Sequence, residues 1–287
     1  MDTHTAQVTP CELTMKLIEA SHAEVIIGTV THLLYEKNEV CGVEILEYGS
    51  ISCDKLVLAM GPWTGVYVED WFDISLPMEG IKSTSMIYSP SGTHDMSESM
   101  INEPYACFCE EDKNHCHLEI YPRPNGEVYV CGLGGSDHIS GDQLRSGGEY
   151  DSSEKVLPNV NRVLAARSSL NELTTSLSID RSPEIVQACM RPLTDDGLPV
   201  ISSVPGQHDR VFVCAGHNCW GILWAPISGL AMSQLLVDGQ CSVIDLMPFQ
   251  LTRFLPKRRK ERKVTKAKYG RKNGEEDVGE QWQSTQL

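Results

Sequence analysis

Apolar and polar positions along the chain change period several times, and each change predicts an element. Thr9-Pro10-Cys11-Glu12 reads as a helix start, with a candidate cap, a proline at the first position and a capping-box acid. Leu13, Leu17 and Ile18 then give one apolar face, ending near His22. Between Glu24 and Cys53 come short β-rich runs at 25–27, 30–35, 41–46 and 50–53, separated by turn signals at Lys37-Asn38-Glu39 and Tyr48-Gly49. They predict a β-meander. Residues 56–60 are continuously apolar, as in a parallel strand covered on both faces, and Gly61-Pro62-Trp63 stops them. Residues 76–88 and 107–133 contain alternating runs that read as strands.

Val156, Leu157, Val160, Val163 and Leu164 predict an amphipathic helix over 154–167, with Pro158 in its first turn. The stretch 189–229 reads strand, polar turn, strand, glycine-rich loop, helix. Val211 to Ala215 is the buried strand, Gly216 and Gly221 bracket the loop, and the helix runs from Pro226 to about Asp238, with Gly239 as its stop. A helix start offers free N–H groups to a ligand that carries negative charge.

Five short motifs fall in this one window, in order: Arg191-Pro192, Asp196-Gly197-Leu198-Pro199, Gly216-His217, Gly221-Ile222 and Ala225-Pro226 with Gly229. Their order and spacing resemble the C-terminal flavin-contacting region of the D-amino-acid oxidase, glycine oxidase and sarcosine oxidase group of FAD-dependent oxidoreductases. The resemblance implies an α/β fold of mixed α+β character, a partial Rossmann-like FAD-binding domain interleaved with an antiparallel-sheet substrate domain. Residues 1–75 and 189–256 would form the first, 76–188 the second, and 257–287 a basic disordered tail. It implies FAD as cofactor and an amine or amino-acid-like small molecule as substrate, oxidised by hydride transfer to the flavin. Gly61, Cys189, Gly216, His217, Gly221, Ile222 and Pro226 are the implied cofactor contacts. Arg191 would pair with a substrate carboxylate, or else serve as a structural arginine bonded to carbonyls or to Asp195 or Asp196. Cys189 aligns with the cysteine that carries covalent flavin in sarcosine oxidases, against the plainer reading of a small buried thiol. Leu223 stands where sarcosine oxidases have a substrate-binding lysine, and Cys219 and Trp220 replace small or polar loop residues.

Family members open on a strand, Gly-x-Gly-x-x-Gly and a helix that hold the FAD pyrophosphate. These 287 residues contain no such unit. The resemblance covers residues 3–254 and matches roughly the C-terminal two thirds of a full member, which predicts a truncated chain with weak hold on FAD. A second reading follows, a non-catalytic interaction protein that kept the fold.

Charge and cysteine usage narrow the setting. Ten of the 24 Lys and Arg lie in residues 257–272, which leaves 14 against 34 Asp and Glu up to Pro256. The acidic body is expected to repel nucleic acid, while the tail offers a contact for an acidic surface. No uninterrupted run approaches the ~18 apolar residues of a membrane span. Eleven cysteines without regular spacing predict thiols in a reducing, cytoplasmic setting. Cys107-x-Cys109 and His115-Cys116-His117 could face each other across a hairpin and hold zinc, but the spacing departs from the usual zinc patterns, and ordinary thiols and histidines are the competing reading.

Overall fold

A computed structural model describes residues 6–89, 105–174 and 182–256. Its elements in chain order are α1 (Pro10–Ser21), β1 (Val30–Glu36), β2 (Glu39–Ile45), β3 (Gly49–Ser52), β4 (Leu56–Leu58), α2 (Thr64–Phe72), β5 (Met78–Tyr88), β6 (Cys107–Phe108), β7 (Glu119–Pro122), β8 (Val128–Cys131), β9 (Asp137–Ile139), α3 (Gly141–Leu144), α4 (Val160–Leu173), β10 (Ile185–Thr194), β11 (Val200–Ser203), β12 (Val211–Ala215) and α5 (Gly221–Asp238). Single turns of 3-10 helix, three or four residues each, punctuate the loops. The tail at 257–287 lies outside the described residues.

The meander forms as its turn signals predict. Lys37 and Asn38 both take positive φ (51° and 67°), the combination a tight two-residue hairpin requires, and β1, β2 and β3 pair antiparallel in order. The run at 25–27 forms no strand, and Ile27 is 92% exposed, because no neighbour is placed to pair with it. Helix α1 starts at Pro10, but Thr9 makes no side-chain cap bond and no residue of the helix is buried.

The large sheet is antiparallel, in the order β10-β5-β8-β7-β6, with β9 also paired to β5. Its longest contact is β5 with β10, ten residue pairs from Ile185 opposite Ile87 to Thr194 opposite Met78. Cys189 to Thr194 therefore continue a strand of this sheet, so the expected division between 188 and 189 falls inside β10. Met86, Tyr88, Val128 and Val130 point to one face and bury against Ala166 and Leu170 of α4. That helix starts after Pro158 rather than around it. Asn159 supplies a better start, its side-chain oxygen accepting from the N–H groups of Asn161 and Arg162, and the residue before a proline disfavours helical backbone.

The third sheet, β11-β12-β4, combines an antiparallel pair with the parallel pair β12 and β4. β4 and β12 are neighbours, Val211 opposite Leu56 to Val213 opposite Leu58, and β12 is the central strand. Among the described residues β11 and β4 are the two edge strands of this sheet. Val200, Val211 and Val213 bury with Val68, Leu76 and Leu251, while Ile201 and Phe212 on the other face bury against Met232 of α5.

Helix α5 differs from its expected start. It begins at Gly221, five residues before Pro226, which sits inside it. A proline there removes one backbone bond, to the carbonyl of Ile222, a loss tolerable so near the helix start. The C-terminal stop is as expected, with Gly239 left-handed at φ 71°. Only Ser228, Ala231 and Met232 of α5 are buried. Asn218–Asp238 is long and apolar enough, at mean hydropathy 1.4, to cross a membrane by length and composition. A search for an unbroken apolar run misses it because Ser228, Ser233 and Gln234 interrupt it. The packing of Met232 against β11 and β12 gives the helix a place on the sheet.

Candidate functional site

The site is built where the end of β10, the turn after it and the loop before α5 converge. Thr194 donates its hydroxyl to the Leu198 carbonyl (2.7 Å), and the Asp196 carboxylate accepts from the Leu198 N–H (3.1 Å). Arg253 closes the turn from outside, donating through Nε to Asp196 (2.7 Å) and through Nη2 to the Leu198 carbonyl (2.7 Å). The Arg253 guanidinium holds the Asp196 carboxyl below its ordinary value. An isolated antiparallel bridge pairs Leu193 with His217, stitching β10 to the glycine loop. Gly216 makes this approach possible. It has φ +88°, and a Cβ there would lie 2.9 Å from the Thr194 methyl.

Because β4 and β12 are parallel, the loops that leave them, at Gly61–Trp63 and at 216–220, share one end of the sheet. Carboxyl ends of parallel strands are where ligands bind in open α/β sheets. Gly61 also has positive φ (58°), and a Cβ on it, or on Gly229 in α5, would meet nothing within 4 Å. The first turn of α5 carries no side-chain cap. Trp220 and Trp224 stack at 5.7 Å, and Trp220, Ile222 and Leu223 are exposed beside that turn.

His217 shares a hydrogen bond between its Nε2 and the buried Ser228 hydroxyl (2.9 Å). Burial pulls its pKa below the ordinary 6.5, which favours the neutral ring at pH ~7. A depressed histidine contributes stability fully above pH 6.5 and loses it as pH falls through that value toward the folded pKa. The urea midpoint is therefore expected to drop between pH ~7 and pH ~5, and His217→Gln should flatten that part of the profile. An unchanged profile in the variant would remove His217 as its source.

Arg191 projects on the sheet face opposite α4. Register puts Cys189 opposite Ser83 and Arg191 opposite Ile81, so all four share that face with Tyr129 and Cys131 of β8 and Glu119 and Tyr121 of β7. The Arg191 Nη2 donates to the hydroxyls of Ser83 and Ser136 (3.3 Å each), which bond to each other at 2.7 Å. Its Nε is buried without a partner. Among the described residues no carboxylate pairs with it. Asp196 is taken by Arg253, so the structural pairing weighed from the sequence does not form.

Cys189 is exposed on this face, yet the surrounding sheet desolvates its thiol and pushes it up, while Arg191 pulls the other way. Burial, then Glu119, pushes the Cys131 thiol up to about 12. Tyr121 donates to Glu119 (2.5 Å) and packs its ring against Phe108 and Tyr129. Sequence reasoning missed Ser83, Ser136 and this aromatic rim. A period-two pattern identifies a strand, but its polar face becomes a site only through pairing with residues about 100 positions away.

The structure thus brings Gly216, His217, Gly221 and Ile222 together at the α5 start, with Cys189 and Arg191 joined to them through β10. Gly61 lies at the same end of the parallel pair. Pro226 lies a turn and a half into the helix, away from its first N–H groups, because α5 starts earlier. The zinc arrangement does not form. Cys116 is buried with Leu118 and Val130, His115 bonds to Glu111 (3.0 Å), and no group of three potential ligands converges among the described residues.

These features fit the ring half of a flavin. An uncapped helix start suits an anionic ring edge, glycines with open space beside them suit close approach of a flat group, and exposed tryptophan and aliphatic side chains suit its apolar face. They do not fit its pyrophosphate, for which these 287 residues provide no glycine-rich phosphate loop.

A family profile described as FAD dependent oxidoreductase matches residues 1–235. The Saccharomyces cerevisiae protein TDA3 is 30% identical over 200 residues, covering 67% of this chain and 33% of its own. A glycine oxidase of Pseudomonas aeruginosa is 25% identical over 201 residues, 70% of this chain and 46% of its own. The crystal structure of glycine oxidase from Geobacillus kaustophilus shares the fold, with a TM-score of 0.54 at 20% identity over 79% of this chain and 52% of that one. The chain spans about half or less of the length of these relatives.

Proposed function

The chain belongs to the FAD-dependent oxidoreductase family, and on that premise we propose that its open sheet face takes a small amine or amino acid for oxidation at the carbon beside nitrogen. Arg191 carries this reading, as a guanidinium on that face with a buried, partnerless Nε and no carboxylate beside it among the described residues. Its planar fork matches a substrate carboxylate in two parallel bonds, and Ser83 and Ser136 hold it at the right level of the sheet. FAD, the family's cofactor, supplies the two-electron acceptor when bound. Gly61, Gly216, Gly221 and Ile222 would lie against its ring, and the α5 start would stabilise negative charge on the ring edge. Neutral His217 holds the loop through Ser228 without adding a competing positive charge. Desolvation works against a thiolate at Cys189, so we read it as a ring contact rather than a covalent attachment.

In this reading residues 1–75 and 189–256 hold the ring and 76–188 build the substrate face, with β10 shared between them. The acidic body works against nucleic acid, and eleven unpaired thiols suit a reducing cytoplasm. Glycolate, a carboxylate without an amine, is a suitable probe. Arg191→Lys should weaken its binding about tenfold while flavin binding is unchanged, since a lysine cannot make the paired fork. Equal glycolate affinity in the two proteins would exclude the assigned role.

The exposure of α5 favours a second reading, an interaction protein built on the same fold. Flavin difference spectra of the protein with FAD at high micromolar concentration separate the two, because an interaction protein would leave the flavin spectrum unperturbed.

A further inference from the structure

A pair of thiols lies on the β1-β2-β3 sheet, which shares no strand pairing with β10. Register pairs Gly42 of β2 with Ser52 of β3, and one step further Cys41 faces Cys53, whose N–H donates to the Cys41 carbonyl (2.8 Å). Directly opposed residues on antiparallel strands put their side chains on one face, with Cα atoms about 5.5 Å apart at a hydrogen-bonded position. That is within the span of a disulfide. Both thiols are free, half-buried and line one surface recess with Glu39, Asp54 and Arg210.

The two interact electrostatically. Burial pushes the Cys53 thiol up, Cys41 and Asp54 add to the shift, and Arg210 pulls it down. Arg210 also spans the recess, donating through Nε to Glu39 (2.8 Å), while its carbonyl accepts from Leu56 N–H at the start of β4 (2.8 Å). Cys131 and Cys189 also interact electrostatically, but β5 lies between their strands. Two strand spacings put them ~9.5 Å apart, too far to bridge.

We propose that Cys41 and Cys53 form a reversible disulfide, made by exchange with a low-molecular-weight disulfide such as glutathione disulfide. The Cys53 thiolate attacks one glutathione sulfur and releases one reduced glutathione. The Cys41 thiolate then attacks the Cys53 sulfur of the mixed disulfide and releases the second. Two protein thiols become one disulfide, and one glutathione disulfide becomes two thiols. Opposed Cβ atoms at such a position lie ~5.5 Å apart against the ~3.8 Å a disulfide prefers, so closure draws the strand ends together. Cys53 can follow, being one residue past the end of β3. A bond closed under strain is reduced readily, which suits a switch rather than a permanent brace. When closed, it clips β2 to the segment that leads into β4.

The test is exchange of the reduced, folded chain with glutathione disulfide at mildly alkaline pH, followed by alkylation of remaining thiols and peptide mass mapping without reduction. Among the eleven cysteines, the Cys41–Cys53 link should exceed any other pairing by about tenfold, because opposed strands hold the two thiols at high effective concentration. The excess should vanish when the same exchange is run in concentrated guanidinium. In Cys41→Ser, Cys53 should instead keep a bound glutathione. Stable glutathione on both cysteines of the wild type would overturn the proposal. So would both remaining as thiols while other cysteines oxidise.

Discussion

Replacing Gly216 by alanine should cost about 3 kcal/mol of stability, a large part of the ~5–15 kcal/mol that holds a domain together. Two penalties add. A left-handed backbone costs an L-residue roughly 1–2 kcal/mol, and at φ +88° Gly216 is in that region. Overpacking costs about 1–3 kcal/mol more. The new Cβ would sit 2.9 Å from the Thr194 methyl, 3.4 Å from the Pro199 Cα and 3.5 Å from the Met78 methyl. Thr194 is itself fixed by its bond to the Leu198 carbonyl, so it cannot turn aside. Gly197→Ala is the control. It too has positive φ (73°), but nothing lies within 4 Å of its Cβ, so only the backbone penalty of about 1 kcal/mol applies. Urea midpoints that fall equally in the two variants would show that crowding at the β10 junction is not what Gly216 relieves.

That junction also shows where sequence reasoning stopped. The elements with local signals were legible. Lys37-Asn38 marks a tight turn, and the alternation in 76–88 marks a strand. The resemblance placed Arg191, Gly216 and His217 in one neighbourhood, and the bridge between Leu193 and His217 brings them there. The start of α5 was not legible, because Pro226 resembles a first-turn proline while residues 221–225 are apolar enough for strand or helix alike. Nor was the unbroken course of β10, which depends on ten partners in β5 about 100 residues earlier. The hydroxyl pair of Ser83 and Ser136 is legible only after β5, β9 and β10 are aligned, since each serine alone is an ordinary surface residue. The opposed thiols of Cys41 and Cys53 needed the register of β2 and β3 before their spacing meant anything.

The second large effect concerns FAD itself. The chain carries a surface that fits the ring and lacks a phosphate loop within its 287 residues. Each charge-assisted bond to the pyrophosphate is worth ~1.5–3 kcal/mol. Losing two or three of them weakens binding by about two to six orders of magnitude, at 1.4 kcal/mol per tenfold. What remains is contact with the ring, which riboflavin makes as well as FAD does. Fluorescence titration of the 287-residue chain with FAD and with riboflavin tests this most directly. Weak binding of both is expected, above micromolar Kd and within about tenfold of each other. Submicromolar binding of FAD with riboflavin far weaker would contradict this, because other residues would then hold the pyrophosphate.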